Sequence, residues 1–210
     1  MVSPPMKILK IAVTGSAGSG KSLVCKRLKE IGLVTLDCDV IARQVVVPGQ
    51  PAYKKIVELF GQKVVRKDKT LDRTRLRNII VNDSGLRKKM ENILHPQILR
   101  EMIFQMETAV YTDKKRAVAV EVPLLFESGM AQYFDVTIVV AAKDKDLVKR
   151  ICDRDMVTKQ DAQKMLDLQM PQDEKTARAD HVIINKGTNA ELSESVDNLF
   201  EKIQKEFLTT

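Results

Sequence analysis

Residues 8–28, Ile-Leu-Lys-Ile-Ala-Val-Thr-Gly-Ser-Ala-Gly-Ser-Gly-Lys-Ser-Leu-Val-Cys-Lys-Arg-Leu, constrain this chain more than any other stretch. Ile8, Leu9, Ile11, Ala12 and Val13 form a short, nearly continuous apolar run of the kind found in strands buried on both faces. Gly15 to Ser22 then fits the spacing Gly-x4-Gly-Lys-Ser/Thr. An apolar-periodic segment follows, with Leu23, Val24 and Leu28 expected on one helix face. Strand, glycine loop and helix in that order predict a phosphate-binding loop.

Each residue type has a physical reason to be there. Glycine at 15, 18 and 20 allows positive φ and lets backbone N–H groups approach a phosphate closely. The helix expected to start near Lys21 offers free N–H groups and a positive dipole end to the same anion. Lys21 is positioned to bridge the terminal phosphates, and the Ser22 hydroxyl to bind Mg2+. A dinucleotide loop is disfavoured, because Gly-x-Gly-x-x-Gly read from Gly18 would need glycine where Leu23 stands. A nucleoside-triphosphate site is the expectation.

The rest of the chain sets limits. At 210 residues it can bury a full core. The formal charge of +7 would suit nucleic acid, but the basic residues are dispersed and rarely flanked by aromatics. Phosphorylated small molecules explain the excess equally well. Cys25, Cys38 and Cys152 lie far apart, and His95 and His181 are the only histidines, which argues against a Cys/His zinc site. The cysteines read as free thiols of a reducing cytosol. The longest apolar runs, at 117–126 and 134–142, are too short to span a bilayer. Residues 1–6 read as a loose leader, and the chain as cytoplasmic.

Apolar runs at 8–14, 33–36, 116–122, 135–141 and 181–184 alternate with helical patterns, which predicts a doubly wound α/β sheet. In such a sheet ligands bind at the C-terminal edge of the strands, where Gly15, Asp37, Pro123, Lys143 and Asn185 should gather. The mostly helical stretch 48–112 interrupts the alternation, with a break or kink expected near His95-Pro96. It is a natural place for an acceptor-binding insertion. Residues 144–179 are helical and charged, which suits a flap that closes cations over a phosphoryl group or, more plainly, a salt-bridged surface.

The second strand runs into Asp37-Cys38-Asp39 before a helical pattern from Val40. Residues two apart on an extended chain point the same way, about 6.6–6.8 Å apart. Asp39 also stands where a helix N-cap would. Beside a phosphate loop, such a carboxylate can orient Mg2+ or accept a proton from an attacking hydroxyl. The third strand ends in Glu121-Val122-Pro123-Leu124-Leu125-Phe126-Glu127, without the aspartate that usually serves the metal. Glu121 is the available substitute, and the direction of its side chain is open. Leu124–Phe126 reads as core or as a wall for an apolar tail. Asn185-Lys186-Gly187-Thr188 lacks the aspartate of a guanine reader, which argues against a GTPase switch.

Taken together, the motifs resemble those of the dephospho-CoA kinase family. The likeness covers nearly all of 7–200 and rests on stretches in family order at 15–22, 37–46, 71–77, 94–96, 122–127, 154–155 and 179–185. It implies a three-layer P-loop kinase fold with a parallel sheet of about five strands. The nucleotide core would take 7–47, 113–143 and 180–210, the helical CoA-substrate insertion 48–112, and the lid 144–179. The implied acceptor is the ribose 3′-hydroxyl of dephospho-CoA, the donor ATP with Mg2+, and the product CoA. By the same likeness Asp39 is the base, Lys21 and Arg154 are catalytic cations, and Ser22 and Asp39 are metal ligands. Gly15, Gly18, Ser19, Gly20, Lys21, Ser22, Leu23 and Asn185 would bind ATP; Asp39, Arg77, His95, Pro123 and Leu124 would meet the acceptor. Leu23 replaces the family's usual threonine, and Cys38 its usual alanine, putting an oxidisable thiol beside the base. The expected partners are ATP and dephospho-CoA, without nucleic acid or membrane, on a monomer or weak homo-oligomer. The competing readings are a nucleoside monophosphate kinase and a nucleotide-dependent nucleic-acid-binding module.

Overall fold

In the computed structural model, which describes residues 8–113 and 117–209, the run Leu9–Thr14 is a strand, β1. Leu9, Ile11 and Val13 pack on one face of the sheet and Ala12 and Thr14 on the other, and all five are buried. A strand covered on both faces needs this unbroken apolar character.

The chain then runs through α1 (Lys21–Glu30), β2 (Val34–Asp37), α2 (Cys38–Gln44), α3 (Pro51–Phe60), α4 (Arg73–Asn82) and α5 (Ser84–Asp113). It continues through β3 (Ala117–Glu121), β4 (Val136–Ala141), α6 (Asp144–Asp155), α7 (Lys159–Asp167), α8 (Gln172–Arg178), β5 (His181–Ile184) and α9 (Asn189–Thr209). The strands form one parallel sheet in the order β2-β3-β1-β4-β5. This is the expected α/β architecture with helices flanking a parallel sheet. The expected leader at 1–6 and the first residue of the predicted strand at 116 lie outside the described residues.

The chain divides into two compact units, Met1–Asp37 with Met106–Thr210, and Cys38–Gln105. In the first, α1 and α9 lie together against one sheet face. Val24, Cys25 and Leu28 of α1 and Leu192, Val196, Phe200 and Ile203 of α9 share a core with Ile11, Ala119, Val140 and Ile183. Fully burying each Val, Leu, Ile or Phe side chain among them contributes about 1.5–3 kcal/mol. Leu23 is not on that face: at 43% exposed it looks outward from the first turn. Arg27 ties the two helices with a two-pronged pair to Asp197, at 2.8 and 2.7 Å.

The second unit has its own core of Ile56, Phe60, Val64, Leu71 and Leu76. Pro51 opens α3 and Asp72 caps α4 by accepting the Arg75 N–H. Two expectations need correction here. α2 starts at Cys38, two residues before the predicted onset, so Asp39 sits inside the first helical turn and is neither the N-cap nor part of an extended pair with Asp37. Burial of Cys38 favours the earlier start. Of the break or kink expected near His95-Pro96, the break does not occur: α5 continues through Pro96. The proline deletes one ladder bond, but partly buried Ile93 and Leu94 before it and buried Ile98 and Met102 after it hold both sides.

Candidate active site

The loop from Gly15 to Ser22 joins the C-terminal end of β1 to the first turn of α1. Glycine is required at both ends of it. Gly15 has φ of +146°, and a Cβ there would run into the Val140 carbonyl. Gly20 takes the left-handed conformation as N-cap of α1, and a Cβ there would run into the Asn185 amide nitrogen. No side chain caps α1 and no acid sits in its first turn, so the positive end of the helix faces the loop unopposed. Lys21 is buried, and its ammonium donates to the carbonyls of Gly15 at 3.1 Å and Ser16 at 3.2 Å.

A cavity of about 390 Å³ opens over this loop. Gly18, Gly20, Lys21, Ser22, Leu23, Arg154 and Asn185, all named from the sequence, line it together with Glu121 and Arg150. Gly15 and Ser19 lie beneath the surface. Ser19 is fully buried, with its N–H committed to the Ser16 carbonyl and its own carbonyl to Asn185.

Asn185 follows β5 and is 5% exposed. Its amide nitrogen donates to the Ser19 carbonyl at 2.8 Å, and its amide oxygen accepts from Arg150 and from the Gly187 N–H. The side chain thus braces the loop across the sheet edge. Arg150 also donates to the Gly18 carbonyl at 3.2 Å. Arg150 and Arg154 stand four residues apart on α6, hence on one face. That spacing was visible in the sequence and was the signal for Arg150. Arg154 is exposed and paired two-pronged with Asp155 at 2.7 Å, which holds its guanidinium pKa above the ordinary value.

Glu121, whose direction the sequence left open, accepts the Ser22 hydroxyl at 3.0 Å. It ends β3 directly beside Asp37 of β2. Burial, then the nearby Glu121 and Asp37 carboxylates, pushes the Cys25 thiol far up, so it is an inert core group. Ser22 and Glu121 supply hard oxygen donors at the mouth of a phosphate loop, which fits Mg2+. Among the described residues no group of three or more His, Cys, Asp or Glu forms a metal cage.

Pro123 and Leu124 sit in the turn after β3. Leu124 is 47% exposed and Leu125 fully buried, so the apolar stretch divides between surface and core. Asp39, Arg77 and His95 belong to the second unit, each exposed: Asp39 in the first turn of α2, Arg77 on α4, and His95 midway along α5. Of the three arginines of α4, Arg73, Arg75 and Arg77, Arg75 donates to the Lys63 carbonyl at 2.6 Å. The predicted lid, 144–179, resolves into α6, α7 and α8. No helix among the described residues is long and apolar enough to cross a membrane.

Comparison with known proteins agrees with this geometry. A model of the dephospho-CoA kinase family matches residues 9–191. A Bacillus cereus dephospho-CoA kinase is 39% identical over 178 residues, covering 85% of this chain and 88% of that protein. Among solved structures, dephospho-CoA kinase from Campylobacter jejuni superposes with a TM-score of 0.71 at 29% identity, covering 94% of this chain and 98% of the other. The Thermus thermophilus protein TT1252 superposes with a TM-score of 0.81 at 28% identity, covering 93% and 98%. By sequence and by fold, this chain belongs to the dephospho-CoA kinase family.

Proposed function

We propose that this chain carries out its family's reaction, ATP-dependent phosphorylation of dephospho-CoA, by transferring the γ-phosphoryl group to the ribose 3′-hydroxyl. The observation that carries this reading is the cavity in which Lys21, Ser22, Glu121, Arg150 and Arg154 converge on the open end of α1. Loop N–H groups and Lys21 hold the β- and γ-phosphates. Leu23, Asn185 and the residues after it border the nucleoside. Asp39 takes the proton of the 3′-hydroxyl as its oxygen attacks the γ-phosphorus and the bond to the bridging oxygen breaks, releasing ADP. Arg150 and Arg154 offset the charge that accumulates on the transferring group. Arg77, His95, Pro123 and Leu124 are the acceptor contacts.

Mg2+ would be held by Ser22 and Glu121, with Asp39 a further carboxylate for it, and when bound it neutralises phosphate charge. We place the enzyme in the cytosol as a monomer or weak homo-oligomer. An acceptor screen tests the substrate. With ATP and Mg2+, ADP release is expected with dephospho-CoA, yielding a product of the mass of CoA, and not with AMP or other nucleoside monophosphates. Faster turnover on a nucleoside monophosphate would overturn the assignment. ATP hydrolysis stimulated by random oligonucleotides would favour a nucleic-acid role instead.

A further inference from the structure

The four residues between α7 and α8, Leu168–Pro171, make bonds that are not those of a loose connector. The Gln169 amide oxygen accepts the backbone N–H of Ala17, inside the phosphate loop and 152 residues away, at 3.0 Å. The Met170 N–H donates to the Glu127 carboxylate at 3.0 Å. Gln172 bonds both the N–H and the carbonyl of Ala142, each at 3.0 Å. Lys175, with no exposed surface at all, stands 2.9 Å from the same Glu127 oxygen. One short seam therefore reaches the loops that follow β1 and β3 and the residue that follows β4.

The chemistry of these ties differs. A buried ammonium needs a counter-charge, so Lys175 fixes Glu127, Glu127 fixes Met170, and Pro171 with its set φ stiffens the backbone beside it. Only Gln169 lands on the phosphate loop. Its orientation is not arbitrary, because a backbone N–H must meet the oxygen of the amide and not its nitrogen. Among the described residues the amide nitrogen makes no side-chain hydrogen bond to protein. The stem 15–17 of a glycine-rich loop has many accessible conformations, and a single acceptor at Ala17 removes part of that freedom before ATP arrives.

We propose that Gln169 is a positioning residue for phosphoryl transfer: through the Ala17 N–H it holds the first half of the phosphate loop ready for ATP, and the Glu127–Lys175 pair holds Gln169. The seam thereby connects the turn carrying Pro123 and Leu124 to the phosphate loop. This rests on reading the loop as the ATP site and is independent of which acceptor is used.

The test is ATP binding by calorimetry, with Mg2+ and without acceptor, on the wild type, Gln169→Ala, Gln169→Glu, Glu127→Ala and the variant that combines Gln169→Ala with Glu127→Ala. Gln169→Ala should weaken ATP about fivefold, the value of one modest hydrogen bond, while its nucleotide-free melting temperature barely moves. Gln169→Glu keeps the acceptor but brings a charge toward the phosphates. Its weakening should fade as salt is raised, whereas that of Gln169→Ala should persist. In the Glu127→Ala background, Gln169→Ala should cost much less than fivefold, because the seam is already released. ATP affinity of Gln169→Ala within twofold of wild type overturns the proposal, even if Glu127→Ala fails to fold. A wild type that does not bind ATP would instead refute the reading of the loop.

Discussion

The hydroxyl of Ser22, in the first turn of α1, donates to the carboxylate of Glu121 at the end of β3, at 3.0 Å. This bond orients the serine before any nucleotide binds, and on the proposed reading Glu121 serves in place of the missing aspartate. Glu121→Gln should therefore leave the fold intact and raise the Mg2+ concentration needed for tight ATP binding by about tenfold or more, the usual cost of removing a group that orients a metal ligand. Calorimetric titration of ATP across a Mg2+ series reads this directly. An unchanged Mg2+ dependence would remove Glu121 from the metal site.

Asn185 is a brace for the loop whatever else it contacts. Asn185→Ala strands the Ser19 carbonyl and one side of Arg150, a loss of roughly 1–3 kcal/mol for a buried unsatisfied group. Asn185→Asp keeps the acceptor toward Arg150 but sets a carboxylate against the Ser19 carbonyl. Both variants should melt earlier and show a raised KM for ATP, with the KM for dephospho-CoA nearly unchanged. Equal rises in both KM values would contradict a role confined to the phosphate loop.

Glu127 gives a pH signature. Burial works to raise its pKa, but the Lys175 ammonium, the backbone N–H groups of Glu127 itself and of Met170, and the charge of Lys175 outweigh it and hold the carboxyl below its ordinary 4.5. A lowered folded pKa means that its contribution is complete above the ordinary range and disappears as pH falls through the folded value. Glu127→Gln should cost about 1–3 kcal/mol at neutral pH. This is less than the ~3–5 kcal/mol of a fully buried pair, because the Glu127 side chain keeps 22% exposure. Chemical denaturation should show the gap between wild type and variant closing as pH falls below the ordinary glutamate range. A gap that widened on acidification would reverse the assignment.

How far the site could be read in advance depended on the kind of signal. The strand, glycine loop and helix from Leu9 to Glu30 were legible, because loop chemistry and buried-strand composition agree there. The direction of Glu121 was not, although strand parity contains it. Ala117, Ala119 and Glu121 share one face of β3, and Ala119 packs in the core that α1 covers. Which face α1 would take is a tertiary fact. The start of α2 was misplaced because nothing in Leu36-Asp37-Cys38-Asp39 punctuates the backbone and burial of Cys38 decides it. The division between α6 and α7 did have a local signal, Thr158 three residues before Asp161, and Thr158 caps α7 through the Asp161 N–H. The Gln169 and Glu127 ties had none, since their partners are distant in the chain and no local pattern links them.

If the loop binds ATP while Asp39 takes the proton, wild type and Asp39→Asn must part at the chemical step. Wild type and Asp39→Asn would be mixed with ATP, Mg2+ and dephospho-CoA in a single turnover, with the product checked by mass for CoA and ATP affinity measured alongside. CoA is expected from the wild type, and from the variant, at ATP and Mg2+ concentrations that saturate both proteins, a rate lower by about 100-fold or more, the scale of losing a general base. A variant rate within a few-fold of wild type would contradict it.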